Sequence, residues 1–138
     1  MASYLLDTNF CIHFIRGRAW ARSALARVQV MDVAISAVTV GELYEGAHRS
    51  DHPTKEIAKA EAFLRPFNII PLGREEAMEW GLIEAQLRKE GNPIEAEDGM
   101  IAATAHKHGL TLVTGNIKHF GRIKSLRIVD WEQHPPKT

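Results

Sequence analysis

The sequence predicts an α/β fold: one domain in three layers, with helices on both faces of a five-stranded, mainly parallel sheet. Three observations carry this. Short apolar runs alternate with segments of helical spacing along the whole chain. The runs lack polar alternation, as strands covered on both faces do. No repeat, low-complexity tract or linker divides the 138 residues, a length usual for one domain. The domain is expected over residues 1–132, with a loose tail over 133–138 that ends HPPKT.

Tyr4-Leu5-Leu6 reads as the first strand, and Thr8 to Arg16 as a helix ended by Gly17. A second helix spans about Trp20 to Val30, with Leu25 and Val28 on its apolar face. Asp32 to Ser36 is a short strand, Val38 to Arg49 a helix, and Asp51-His52-Pro53 opens another that runs to Leu64. Asn68 to Pro71 gives the third strand. Gly73 to Lys89 is a long helix, broken by Gly91-Asn92-Pro93. Ala96 to Lys107 is helical with Gly109 placed to cap it; strands follow at Thr111–Thr114 and Leu126–Val129.

An apolar fraction of 45% and a charged fraction of 25% suit a soluble globular protein with a substantial core. Cys11 is the single cysteine, which excludes an internal disulfide and fits a reducing compartment. The sequence shows neither a signal-peptide pattern nor a bilayer-length apolar stretch, so a cytoplasmic location is expected. A net charge of zero gives no dominant attraction to nucleic acid, yet it hides segregation. Eight acids face two bases between Glu75 and Asp98, whereas Lys107 to Arg127 holds five bases and no acid.

Candidate chemistry follows from where the acids fall. Helices run back antiparallel to their strands, so helix N-termini gather at the carboxyl edge of the sheet, where open α/β folds bind ligands. Asp7 ends the first strand. Glu42 lies about one turn into the helix after the second. Asp98 stands in the first turn of the helix before the fourth strand, and Thr114 and Asn116 close that strand. Each has a purely structural reading: Asp7 or Thr8 as a cap, Thr39-Val40-Gly41-Glu42 as a capping box, Asp98 against a helix dipole, Thr114-Gly115-Asn116 as a turn. Together, three carboxylates at one edge repel one another unless a cation sits between them. With no His/Cys ligand set at useful spacing, oxygen ligands point to Mg²⁺ or Mn²⁺ rather than zinc.

The ordered set LLDTN, ISAVTVGEL, EDGMIAATA and LVTGN, with the closing LRIVDW, resembles the PIN-domain ribonucleases. It is most similar to the VapC-like toxins of bacterial toxin–antitoxin pairs, including their FitB-like branch. The resemblance covers nearly the whole chain. It implies a parallel five-stranded sheet, a homodimer or higher toxin–antitoxin assembly, a cognate antitoxin, and Mg²⁺-dependent endoribonuclease activity that inhibits translation. RNA of the tRNA or rRNA class is the implied substrate. By position, Asp7, Glu42 and Asp98 match the family's acids, and Asn116 matches a fourth Asp or Asn. Thr8, Asn9 and Thr114 match its small polar supports. Many relatives carry Asp three residues after Asn116; His119 there leaves the pocket one carboxylate poorer.

Asp7 and Asp98 are therefore expected to hold the metal, with Glu42 activating water and Asn116 fixing a ligand's orientation. Glu95 and Glu97 are expected to point away from Asp98. A basic rim of Arg16, Arg18, Arg22, Lys118, Arg122 and Lys124 is expected to meet RNA phosphates. His106 and His108, two apart at a helix end, are expected to face different ways and complement the helix dipole. Met78, Trp80, Leu82 and Ile83 read as core and partner-facing positions. A phosphoacceptor receiver domain needs an acidic pair at the first strand and an acid after the third; both are missing. A haloacid-dehalogenase-type phosphatase needs a second Asp where Asn9 stands. A catalytically weak PIN-scaffold binding module is the alternative that His119 suggests.

Overall fold

The computed structural model describes residues 2–137; Met1 and Thr138, which belong to the expected domain and tail, lie outside the described residues. Five strands form one sheet in the order β3-β2-β1-β4-β5. They are β1 Tyr4–Leu6, β2 Val33–Ser36, β3 Asn68–Ile70, β4 Thr111–Val113 and β5 Ile128–Val129. All four pairings are parallel, and β1 is central, with Leu6 opposite Ile35 on one side and Val113 on the other.

The helices are α1 Thr8–Ile15, α2 Ala19–Ala26, α3 Ala37–His48, α4 Pro53–Leu64, α5 Arg74–Lys89, α6 Ala96–Lys107 and α7 Ile117–Phe120. Strand alternation feeds two separate cores. Leu5, Ala34 and Leu112 point to the layer of α5, α6 and α7, where Ile83, Leu87, Ile101 and Phe120 meet them. Leu6, Ile35 and Val113 point to the opposite layer, against Phe10, Ala21, Leu43 and Phe63. Each fully buried Leu, Ile or Phe contributes about 1.5–3 kcal/mol, so a one-residue slip of β1 would turn both layers inside out. Cys11 is buried in the second core, as its apolar helix predicts.

Gly17 and Gly109 follow their helices with φ of +81° and +66°, a left-handed turn that side chains with a Cβ resist. α2 ends at Ala26, short of the expected Val30; Val30–Asp32 forms a separate 3-10 turn instead. β5 starts at Ile128 rather than Leu126, and α7 was not expected as a helix. Beyond the expected domain boundary, Arg27 donates to the Pro136 carbonyl at 3.2 Å.

His106 and His108 do not diverge as their spacing suggests. His106 Nδ1 meets Glu79 at 2.6 Å and His108 Nε2 meets Glu76 at 2.6 Å, while Lys107 reaches Glu75 at 3.5 Å. His108 is the cap residue beyond α6, so helical spacing does not govern it. The His108 contact, ahead of the Glu76 backbone bond and one from the Gly73 N–H, holds the Glu76 carboxyl below its usual range. Ile83 is buried, whereas Met78 and Leu82 are 61% and 55% exposed, leaving two apolar side chains on the open face of α5.

Candidate active site at the carboxyl edge of the sheet

Asp7, Glu42, Asp98 and Asn116 line one crevice of about 360 Å³ where the strands end. β1 delivers Asp7 at the centre of the sheet, and the Asp7 N–H bonds the Val113 carbonyl of β4 at 3.0 Å. Asp7 is also the N-cap of α1: its Oδ1 accepts from the Phe10 N–H at 2.7 Å. The cap and the site are thus the same carboxylate, one oxygen fixing the helix and orienting the other.

α3 delivers Glu42, and not as part of a capping box. Ser36 caps α3 by accepting from the Val38 N–H at 3.1 Å, which leaves Thr39 buried inside the first turn. Thr8 donates its hydroxyl to Glu42 Oε1 at 2.5 Å, and the Thr8 and Thr39 hydroxyl oxygens lie 3.1 Å apart. Glu42 is therefore held from α1 as well as from its own helix. Asn9 lines the crevice beside them.

α6 brings Asp98, and Gly99 sets how close it comes. A Cβ on Gly99 would lie 2.9 Å from Trp80 Nε1, so only glycine lets the start of α6 settle on α5. Thr114 is buried and accepts from the Asn116 N–H at 3.0 Å, while Asn116 Nδ2 lies 3.0 Å from His119 Nδ1. His119 thus occupies the neighbourhood of Asn116 as an orienting partner.

The electrostatics are those of crowded acids. Burial pushes the Asp7 carboxyl up from 3.8 to about 6 against the Thr114 and Phe10 hydrogen bonds, and the charges of Asp98 and Glu42 add to the rise. Asp98 is raised by burial and then by Glu42, with His119 opposing and Glu95 and Glu97 adding. Glu95 and Glu97 therefore do not point away: both line the crevice with Asp98. Glu95 has extended backbone ahead of α6, outside the helical register that the spacing argument assumed.

Sequence reasoning also missed Glu45 and Arg49, which line the crevice and pair at 2.5 Å. They lie three and seven residues after Glu42, the spacing of one helix face, and that signal was available. Arg49 is the single Lys or Arg in a wall that holds six carboxylates. The expected basic rim is dispersed. Arg22 donates to the Phe14 carbonyl at 3.2 Å, Arg122 to the Pro93 carbonyl at 3.1 Å, and Lys124 meets Glu90 at 3.7 Å. Arg16 lines a groove between α1, α3 and α4; Arg18 and Lys118 are exposed at the starts of α2 and α7.

The donor set fits a hard divalent cation. It is all oxygen, and its negative charge is answered by one arginine already paired to Glu45. Among the described residues no three ligating side chains close into a cage.

A parallel sheet in this strand order, with acids gathered at its carboxyl edge, defines a PIN-type α/β protein. The PIN domain family model matches residues 4–126, and the chain belongs to that family, in its VapC branch. Ribonuclease VapC2 of Haemophilus influenzae is 37% identical over 131 residues, covering 95% of this chain and 99% of the relative. The tRNA(fMet)-specific endonuclease VapC of Salmonella typhimurium is 34% identical over 131 residues, with the same coverage. The crystal structure of DNA-bound VapBC from Salmonella typhimurium matches with a TM-score of 0.90 at 34% identity, covering 95% of this chain and 99% of that one. No helix among the described residues is long and apolar enough to cross a membrane.

Proposed function

We propose that this chain is the toxin of a toxin–antitoxin pair: a divalent-metal-dependent endoribonuclease that cuts RNA of the tRNA or rRNA class in the cytoplasm and so inhibits translation. The observation that carries the reading is the crevice itself, in which a buried Asp7 meets Glu42 and Asp98 from two other elements. Asp7 and Asp98 would hold Mg²⁺ or Mn²⁺, which supplies Lewis acidity and neutralises charge on the scissile phosphate. Glu42, aimed by Thr8, takes the proton from the attacking water as the new P–O bond forms and the ribose oxygen leaves. Asn116, held by His119, presents its amide to the same space. RNA phosphates outside the crevice meet Arg16, Arg18 and Lys118, which offset the repulsion of the acidic pocket.

The antitoxin takes the groove between α1, α3 and α4. Its floor is Ile12, Ile15, Leu43, Ala47 and Ala60, its volume about 550 Å³, and Glu42 lines both groove and crevice. A segment seated there can extend a basic side chain into the acids and block them. The toxin assembles as a homodimer, alone or within the toxin–antitoxin complex. The relatives named ribonuclease VapC2 and tRNA(fMet)-specific endonuclease VapC, and the solved VapBC structure, support this reading.

The test compares wild type with Asp98→Asn on a panel of tRNAs and rRNA, with Mg²⁺ and with chelator. Cleavage by wild type with metal alone is expected. Equal cleavage by the variant would overturn the assignment of the cleavage to this acidic crevice.

A further inference from the structure

A second cavity, of about 370 Å³, adjoins the acidic crevice and shares Asn9 and Asn116 with it as a common wall. Its volume is at the low end for small-molecule sites, enough for one small planar group. The far walls come from opposite ends of the chain: His13 of α1 and Trp20 of α2 on one side, Asp130 and Trp131 after β5 on the other. The aromatic groups brace one another. Phe10 packs edge-on against Trp20 at 5.7 Å and Trp131 at 5.4 Å, and the His13 and Trp20 ring centres lie 5.4 Å apart.

One polar feature is unspent. Asp130 Oδ1 accepts from the Glu132 N–H at 2.9 Å, which fixes the carboxylate and leaves its other oxygen for a donor. No Lys or Arg lines the cavity, and Asp130 and Glu132 make it acidic. A phosphate is repelled from such a space. A neutral aromatic group with N–H donors at its edge is not.

We propose that this cavity is a nucleobase subsite. It receives one unpaired base of the RNA next to the scissile phosphate, stacked against Trp20 and read at its edge by Asp130. An exocyclic amino group donating to Asp130 favours adenine, cytosine or guanine over uracil. The inference rests on the ribonuclease reading and specifies which part of the substrate lies beside the acids. Bases enter such pockets only when unstacked, so the site selects loops and unpaired ends of RNA over duplex. Stacking on an aromatic side chain is tolerant of base identity, and the carboxylate narrows the choice.

The three tryptophans provide the test, because Trp20 and Trp131 line the cavity while Trp80 packs on Gly99 elsewhere. The indole N–H resonances are followed by NMR while the four nucleoside 5′-monophosphates, or ribose 5-phosphate, are added to millimolar concentration in chelator. The nucleotides are expected to move Trp20 and leave Trp80 in place, with uridine monophosphate weakest and ribose 5-phosphate inert. Asp130→Asn, which keeps an acceptor for the Glu132 N–H, and Trp20→Leu are each expected to weaken binding roughly tenfold or more. An unmoved Trp20, equal binding of ribose 5-phosphate, or unchanged affinity in both variants overturns the proposal. Cleavage plays no part in this titration. A protein that binds bases at Trp20 but cuts no RNA sinks the ribonuclease reading alone, and one that cuts RNA without such binding sinks the subsite alone.

Discussion

Replacing Asp7 by Asn is expected to stabilise the fold while abolishing cleavage. The side chain is 4% exposed, and burial with two neighbouring carboxylates lifts its pKa from 3.8 to about 6. At neutral pH the folded chain therefore carries an ionised carboxylate that burial makes costlier than in the unfolded chain. Keeping it ionised costs about 3 kcal/mol, at 1.36 kcal/mol for each step of one in pKa. The folded state holds this proton more tightly than the unfolded one. Its contribution is thus fully present below 3.8 and is lost as pH rises through about 6. Asn is neutral throughout and caps a helix as well as Asp, so the Phe10 N–H keeps its acceptor. For a chain of 138 residues, about 3 kcal/mol corresponds to roughly 10 °C in melting temperature. The assay is thermal unfolding of both proteins in chelator across pH. The variant should melt higher by roughly that amount near pH 8, and the gap should fall to about half near pH 5. A wild type that melts as high as the variant near pH 8, or a gap that does not narrow on acidification, refutes the reasoning.

Three further outcomes follow from the same geometry. Millimolar Mg²⁺ should raise the melting temperature of wild type and not that of the Asp7→Asn/Asp98→Asn double variant; about 2.7 kcal/mol is gained at a hundredfold excess over Kd, and an equal rise in both proteins would place the ion elsewhere. Thr8→Val removes the 2.5 Å hydrogen bond to Glu42 without changing shape, so kcat on RNA should fall roughly 10- to 100-fold with KM held; an unchanged kcat would show that Glu42 needs no such support. Gly99→Ala sets a methyl 2.9 Å from Trp80 Nε1 and 3.1 Å from its Cδ1, which should cost about 1–3 kcal/mol and displace Asp98. Calorimetry reads that loss, and a variant with wild-type stability and activity would show that α6 has room to move.

Strands and long helices were legible because both cores demand unbroken apolar runs: Leu5-Leu6, Val33-Ala34-Ile35 and Leu112-Val113 each serve two layers at once. α7 and the Val30–Asp32 turn escaped because four and three residues are too few to show a period. The crevice was legible as a set of positions, since topology alone sends Asp7, Glu42 and Asp98 to one edge. Its wall was not. Glu95 and His108 lie just outside α6, where helical spacing stops predicting direction, and they were misplaced for the same reason. The second cavity was invisible to any local pattern, because Trp20 and Trp131 line it together only once the sheet has formed; from the sequence Trp20, like Phe14, offers a base-stacking surface, but its helical spacing reads first as core.

The central place of β1 has a consequence for when the acidic crevice can form. Asp7 is made before β4, yet β1 has its second neighbour only when β4 arrives, and the Asp7 N–H finds its acceptor only at Val113. Helices α1 to α4 can begin to pack on one flank as they emerge. The crevice cannot close until Asp98 and Thr114 have left the ribosome. A nascent chain is therefore chemically silent until β4 has emerged, and a truncated product lacking β4 stays so. Order of synthesis, written into the strand order, delays the chemistry until that strand is made.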